Sequence, residues 1–174
     1  ACPTRRTRFR TSVFSGIVMV HSLHALLRDV GLAVPAELAD VQLSGITSDS
    51  RAVATDALFL GLPGVQVDGG RFWRQALEAG AAAAVIGPQA ALLYPPDAND
   101  PVLVLDEPVA QTLGELSAAY WDMPCRRMGL IGVTGTNGKT TVTHLIELLA
   151  SVVGGPTALF GTLVNRWPGH SITA

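Results

Sequence analysis

The sequence has one lysine, two cysteines and few aromatic residues, and each scarcity narrows its chemistry. Cys2 and Cys125 lack the spacing of a metal or redox motif, and a reduced cytosolic setting fits them best. Aromatics make up 6% of the chain and the net charge is −2. Those values exclude a base-stacking surface, a basic field for nucleic acid and a polybasic membrane patch. No apolar run approaches the roughly 18–20 residues that cross a bilayer. Charged residues amount to 15% against 48% hydrophobic, a balance that demands a packed core. A chain of 174 residues holds one domain, or one domain and part of another.

Residues 1–18 are the one stretch of skewed charge. Arg5, Arg6, Arg8 and Arg10 are four of the twelve basic residues, and the stretch has no acid. Two readings stay open: a fragment end or upstream extension, or a transit-like or secretory leader with "VFSGIVMV" as its apolar part. No small-x-small cleavage site supports the leader. Met19 directly precedes a clean helical pattern.

From there the periodicity predicts alternating strands and helices. Ser22 reads as the N-cap of a helix with Leu23, Leu26, Leu27 and Val30 on one face, ended by Gly31. "VQLSGITSDSR" reads as one strand leading into a polar turn, and "DALFLGLPG" as a second strand closed by Pro63 and Gly64. A helix then turns Phe72, Trp73 and Ala76 inward, with Gly80 as its C-cap. "AAAAVIG" and "VLVLD" read as buried strands, separated by a surface loop over 88–101, and Pro108 to Tyr120 as an amphipathic helix. "WDMPCRRM" is the domain junction. The pattern predicts an α/β fold with a mainly parallel sheet, organised as an extension over 1–18, a domain over 19–125 and an incomplete second domain over 126–174.

The second part opens on "LIGVTGTNGKTTVTHLIELL". It reads as a buried strand, a glycine-rich turn and a helix with Val142, Leu145, Ile146, Leu149 and Val153 on one face. "TALFGT" follows as the closing strand of a strand–helix–strand unit over 128–162. Glycines at such a turn bare backbone N–H groups to a phosphate, and the helix adds the positive end of its dipole. A lysine then neutralises the β- and γ-phosphates, and a threonine hydroxyl faces Mg²⁺. Gly135, Thr136, Asn137, Gly138, Lys139, Thr140 and Thr141 are the candidate ATP contacts, with Lys139 and Thr140 the catalytic pair and Thr140 the metal-side group. The spacing departs from the usual phosphate loop, which would place its first glycine at Val133, whereas the glycine is Gly132.

"GVTGTNGKTT" resembles the ATP loop of the Mur ligases, whose G-T-x-G-K-[TS] core also occurs in folylpolyglutamate and cyanophycin synthetases. The upstream half sharpens the resemblance. Asp49-Ser50-Arg51, Leu58-Phe59, Gly64, Asp68-Gly69, Phe72, Ala76 and Gly80-Ala81 follow the pattern of the family's N-terminal UDP-binding domain. "FGTLVN" is similar to the G-T-x-x-N segment of the MurE branch, the UDP-N-acetylmuramoyl-tripeptide synthetases, and the chain resembles an N-terminal fragment of that branch. The resemblance covers roughly 22–174.

It implies an ATP- and Mg²⁺-dependent ligase of peptidoglycan precursor synthesis, cytoplasmic and monomeric, with no nucleic-acid or membrane partner. The reaction adds meso-diaminopimelate or L-lysine to UDP-N-acetylmuramoyl-L-alanyl-D-glutamate through an acyl phosphate. By motif position Ser48 and Ser50 correspond to UDP contacts, and Val65, Gln66 and Val67 to a second contact loop. The resemblance also implies a carbamylated lysine and an acidic metal ligand from the central domain; Lys139 is the only lysine and belongs to the loop, so the carbamate position is expected beyond Ala174. The 174-residue chain is therefore expected to be inactive alone. A MurF-type ligase adding D-Ala-D-Ala and a noncatalytic MurE-like assembly protein are the alternatives. His21, His24, His144 and His170, Cys125 and the pair Arg126–Arg127 carry no catalytic expectation.

Overall fold

The computed structural model describes residues 21–106 and 108–174. The expectations for residues 1–18, with Cys2 and Met19, lie outside them. The chain divides into two compact units between Arg127 and Met128.

The first unit is built on a four-stranded parallel sheet in the order β3 (Gly45–Thr47), β4 (Ala57–Leu60), β5 (Ala83–Ile86) and β6 (Val102–Val104). Ile46 pairs with Leu58, Leu58 with Ala83 and Ala84 with Val102. Side chains alternate across a strand, so β4 and β5 serve two cores at once. Leu58, Leu60, Ala83 and Val85 face one side, where α1 (Leu23–Asp29) and α4 (Val109–Tyr120) bury Leu26, Leu27, Leu113 and Leu116 against them. Phe59, Ala84 and Ile86 face the other, under Trp73 and Ala76 of α2 (Trp73–Glu78) and Ala90 of α3 (Pro88–Leu93). Coverage on both faces explains why β4 and β5 are apolar throughout rather than alternating.

Local signals set the helix ends. The Ser22 hydroxyl accepts from the Ala25 N–H, and Gly31 continues the chain at φ 76°. Beyond β4 a close backbone approach is compulsory: a Cβ on Gly61 would lie 2.5 Å from the Gly70 Cα. That approach seats the 3₁₀ turn Gly69–Phe72 that delivers Trp73 to the core.

Several expectations need correction in this unit. Residues 41–51 do not form one strand. Gln42–Leu43 (β2) pairs antiparallel with His21–Ser22 (β1), and β3 begins a new sheet at Gly45. The break falls at Ser44, whose N–H and hydroxyl bind the carbonyls of Asp56 and Thr55. Phe72 lies at the surface, because the 3₁₀ turn rotates it away from Trp73. The expected loop over 88–101 opens with α3, which Pro88 starts from the first turn and Ala90 anchors. Strand β6 is an edge strand with Val104 exposed, so only Leu105 of that run is fully buried.

The second unit has α5 (Lys139–Val152), then β7 (Leu159–Phe160), β8 (Val164–Trp167) and β9 (His170–Thr173) in an antiparallel sheet. The expected strand at 130–134 does not form. Leu130 and Ile131 are 71% and 70% exposed, and no strand pairs with them among the described residues. The expected apolar face of α5 is likewise exposed at Val142, Leu145, Leu149 and Val153. The side that is partly covered carries His144, Ile146 and Glu147, each half-buried. Glu147 ties α5 to β8: its carboxylate accepts from the Arg166 Nε at 2.6 Å and also from Nη2. That paired contact pulls the Glu147 carboxyl below its ordinary range.

Candidate functional site

In the first unit the expected contact segments sit at the carboxyl ends of neighbouring strands. The Ser48–Arg51 turn leaves β3 and the Val65–Val67 loop follows β4, the end of a parallel sheet where ligands bind. Asp49 organises the turn. Its carboxylate accepts the Arg51 N–H at 3.0 Å and the guanidinium at 2.9 and 3.0 Å, while its own N–H donates to the Thr47 hydroxyl. The Arg51 side-chain bonds lower the Asp49 carboxyl most, and the Arg51 backbone bond adds to them, to about 2.

The sign follows directly. A folded value below the ordinary carboxylate value of about 3.9 means the turn is favoured above pH ~4 and loses that support as pH falls to about 2. A carbon-detected NMR titration is expected to place the Asp49 midpoint near 2, and Arg51→Ala to move it back toward the ordinary value. An unmoved midpoint in that variant would rule out the pair as the cause.

The two serines of the turn have different roles. Ser50 is buried, and its hydroxyl donates to Gln75 Oε1 at 3.1 Å, fastening the turn to α2. Ser48 is exposed and lines a cavity of about 360 Å³. Leu60 and Leu62 close it from β4 and its exit, and Leu113, Gly114, Ser117 and Trp121 from α4 and its C-terminal end. The α4 side of this cavity was not foreseen, since a helical stripe of Leu, Gly and Ser reads as packing. Val65, Gln66 and Val67 are exposed; Gly64 permits their loop, because any Cβ there would collide with the Val67 carbonyl.

The second unit presents the glycine loop. Gly135 and Gly138 take φ 139° and 78°, backbone that side chains rarely adopt, and Gly138 directly precedes α5. The Lys139 ammonium donates to the carbonyls of Gly135 and Thr136, so the cation lies over the loop. Thr140 stands half-buried in the first helical turn; Thr136, Asn137 and Thr141 are exposed. Glycines at positive φ, a cation over the loop and a helix N-terminus fit a phosphate group. For a divalent metal the fit is partial: Thr140 offers one hydroxyl, and no cluster of three His, Cys, Asp or Glu exists among the described residues.

The remaining candidates stay outside these sites. Arg127 pairs with Asp122, and Cys125 is an exposed free thiol. His170 stacks on Trp167. His24 does have a carboxylate neighbour, Asp40 at 3.9 Å, in a contact that closes the start of α1. Among the described residues no helix is long and apolar enough to cross a membrane.

A parallel sheet with exposed loops at its strand ends, followed by a glycine loop that opens a helix, is an α/β arrangement that suits nucleotide binding. The family model described as "Mur ligase family, catalytic domain" matches residues 42–121, and "Mur ligase middle domain" matches 133–173. The chain belongs to the Mur ligase family. It is 76% identical over 156 residues to the UDP-N-acetylmuramoyl-L-alanyl-D-glutamate–2,6-diaminopimelate ligase of Parasynechococcus marenigrum, covering 90% of this chain and 31% of that protein. Identity to the ligase of the same name from Prochlorococcus marinus is 64% over the same coverage. A solved structure of a ligase of that name is similar at TM-score 0.60 and 26% identity, over 87% of this chain and 30% of the other. The chain thus spans about a third of the length of these relatives.

Proposed function

We propose that the chain is the nucleotide-handling part of an ATP-dependent acid–amino-acid ligase. The enzyme joins 2,6-diaminopimelate to UDP-N-acetylmuramoyl-L-alanyl-D-glutamate as a cytoplasmic, monomeric step of peptidoglycan precursor synthesis. One observation carries this reading: 76% identity over 156 residues to a ligase of that name. A match of that length cannot fall within either unit alone, since the first unit ends at Arg127.

The two parts of the chain divide the labour. Residues 19–125 hold the UDP-sugar at Ser48, Ser50 and Val65–Val67, and residues 126–174 begin the ATP domain. The N–H groups of Gly135–Gly138 and the Lys139 ammonium hold the phosphates, with Thr140 and Thr141 at the helix start. A Mg²⁺ ion, bound with the nucleotide beside Thr140, would supply further charge neutralisation. ATP's γ-phosphoryl group passes to the substrate carboxylate; the amine of the incoming amino acid displaces phosphate from that acyl phosphate and forms the amide. Phosphoryl transfer asks a protein mostly for positioning and neutralised charge, which is what loop backbone and lysine provide. The uridine handle is remote from the reacting carboxylate, so its binding energy can serve to position the reacting end.

The test compares the chain with a protein of its relatives' full length. The long form is expected to release ADP only when the UDP-muramoyl dipeptide, diaminopimelate and ATP are all present. The 174-residue chain is expected to form no amide. Extension of a UDP-muramoyl tripeptide by D-Ala-D-Ala instead would overturn the reading in favour of the MurF type.

A further inference from the structure

Segments 69–77 and 88–96 of the first unit together carry Arg71, Arg74, Phe72, Trp73 and Tyr94, and no acid. The fold joins them. The Trp73 indole N–H donates to the Tyr94 carbonyl at 2.8 Å, and a Cβ on Gly70 would lie 2.6 Å from the Ala90 Cβ. The 3₁₀ turn and α3 are thus fixed side by side. Two guanidinium groups lie over aromatic rings at this joint. The Arg71 Cζ is 5.2 Å from the Phe72 ring centroid and 5.8 Å from that of Tyr94, and the Arg74 Cζ is 4.7 Å from that of Trp73. Arg74 also donates to the Pro95 carbonyl at 3.0 Å. Both arginines are exposed, and neither forms an ion pair among the described residues. The result is a local positive excess on a chain whose net charge is −2.

Apolar surface adjoins the cations. Leu92 and Leu93, at the end of α3, are 82% and 70% exposed, and Phe72 and Tyr94 are exposed beside them. Single exposed leucines are ordinary, whereas a run of them next to exposed rings marks an interaction site. Helices α2 and α3 cover the face of the sheet opposite α1 and α4. None of these residues lines the cavity that holds Ser48.

We propose that this surface docks a partner protein through a segment that carries carboxylates beside an apolar side chain. The carboxylates pair with Arg71 and Arg74, and the apolar group lies on Leu93 and Tyr94. A guanidinium held flat over a ring keeps its N–H edge for a carboxylate, which it meets with two parallel hydrogen bonds. Arginine and aromatic residues are also the types that protein interfaces concentrate, while lysine is depleted there. Because the rings and the Pro95 carbonyl already hold the cations, little ordering is left to oppose binding. Other occupants match the charge less well. A second copy docking the same surface on itself would bring like charges together, since the surface has no acid. Residues 1–18, with four arginines and no acid, have the wrong sign. An anionic membrane is gripped by clusters of roughly 4–8 basic residues, well beyond the pair Arg71 and Arg74.

The test is an NMR titration of the isotope-labelled 174-residue chain with a capped pentapeptide of glutamate and leucine at millimolar concentration. A lysine–leucine pentapeptide is the control, and vesicles rich in phosphatidylglycerol are the membrane arm. The glutamate peptide is expected to shift the Nε–H signals of Arg71 and Arg74 and the methyl signals of Leu93. The amides of α5 and of the Ser48 turn should stay in place. Arg71→Glu should weaken binding at least tenfold with an unchanged melting curve. Arg71→Gln, which removes the charge without reversing it, should weaken it several-fold. Raising the salt from about 0.05 to about 0.5 M should also cost several-fold, because the pairs are exposed. No shift with the glutamate peptide overturns the proposal, as do shifts confined to α5, equal binding of the lysine peptide, or undiminished affinity in Arg71→Glu. Stronger shifts at the same signals with vesicles than with the peptide overturn it in favour of a lipid surface.

Discussion

Lys139→Ala is expected to lower ligation by the full-length protein about a hundred- to a thousandfold, the usual cost of removing one preorganised charge from a reacting centre. ATP binding to the chain should fall in parallel. The lysine is exposed, and its bonds within the protein go only to the carbonyls of Gly135 and Thr136. Losing it should therefore change stability by less than about 0.5 kcal/mol, as for other surface positions. The combination is diagnostic: a large functional loss with an unchanged melting curve places Lys139 in the phosphate site. Lys139→Arg should recover only part of the function, because the planar guanidinium brings the charge in a different geometry from a compact ammonium. If Lys139→Ala binds ATP as tightly as the parent, the loop does not hold the phosphates through this residue.

How far the residues themselves announced this structure depends on what each element needs. Helix α1 and the strands at 57–60 and 83–86 were legible because Ser22, Leu23, Leu26 and Leu27, and the runs "ALFL" and "AAVI", state their own caps and burial. The glycine loop was legible for a similar reason: Gly135 and Gly138 at positive φ, followed directly by Lys139, form a local motif. What failed were features set by neighbours. "LIGV" has the composition of a buried strand, yet a strand exists only beside another, and none pairs with it among the described residues. The apolar side of α5 misled in the same way, since periodicity says which side is apolar and not what covers it. Ser48 and Ser50 were indistinguishable in "SDSR"; only the fold shows that Ser50 is fastened to Gln75 while Ser48 faces a cavity. The α4 wall of that cavity gave no signal at all, because Gly114 and Trp121 come together with Ser48 only through the packing of α4 on the sheet.

The largest expected loss of stability comes from Trp73→Ala. Trp73 is 1% exposed and is the largest fully buried side chain, packed with Phe59, Ala76, Ile86 and Ala90 on the α2 side of the sheet. Truncation removes the transfer energy of the indole and leaves a cavity that rigid β-strands cannot close. A cost of about 3–5 kcal/mol is expected. The indole N–H also donates to the Tyr94 carbonyl at 2.8 Å, bracing the segment that follows α3, and the Arg74 guanidinium lies 4.7 Å from the ring centroid. A domain of this size is stable by only about 5–15 kcal/mol, so the substitution removes roughly a fifth of the margin or more. Thermal unfolding should shift down by more than about 10 °C. Trp73→Phe separates the two contributions: it keeps most of the apolar contact and loses the N–H, and should cost about 1–2 kcal/mol. The loss should act on UDP binding only indirectly, through Gln75. That residue follows Trp73 on α2 and receives the Ser50 hydroxyl, so a shifted α2 would loosen the turn that carries Ser48. Trp73→Phe should therefore bind UDP nearly as the parent does, whereas Trp73→Ala should bind it more weakly even at temperatures where it remains folded. Equal melting temperatures for Trp73→Ala and the parent would show that this side of the sheet does not hold the first unit together.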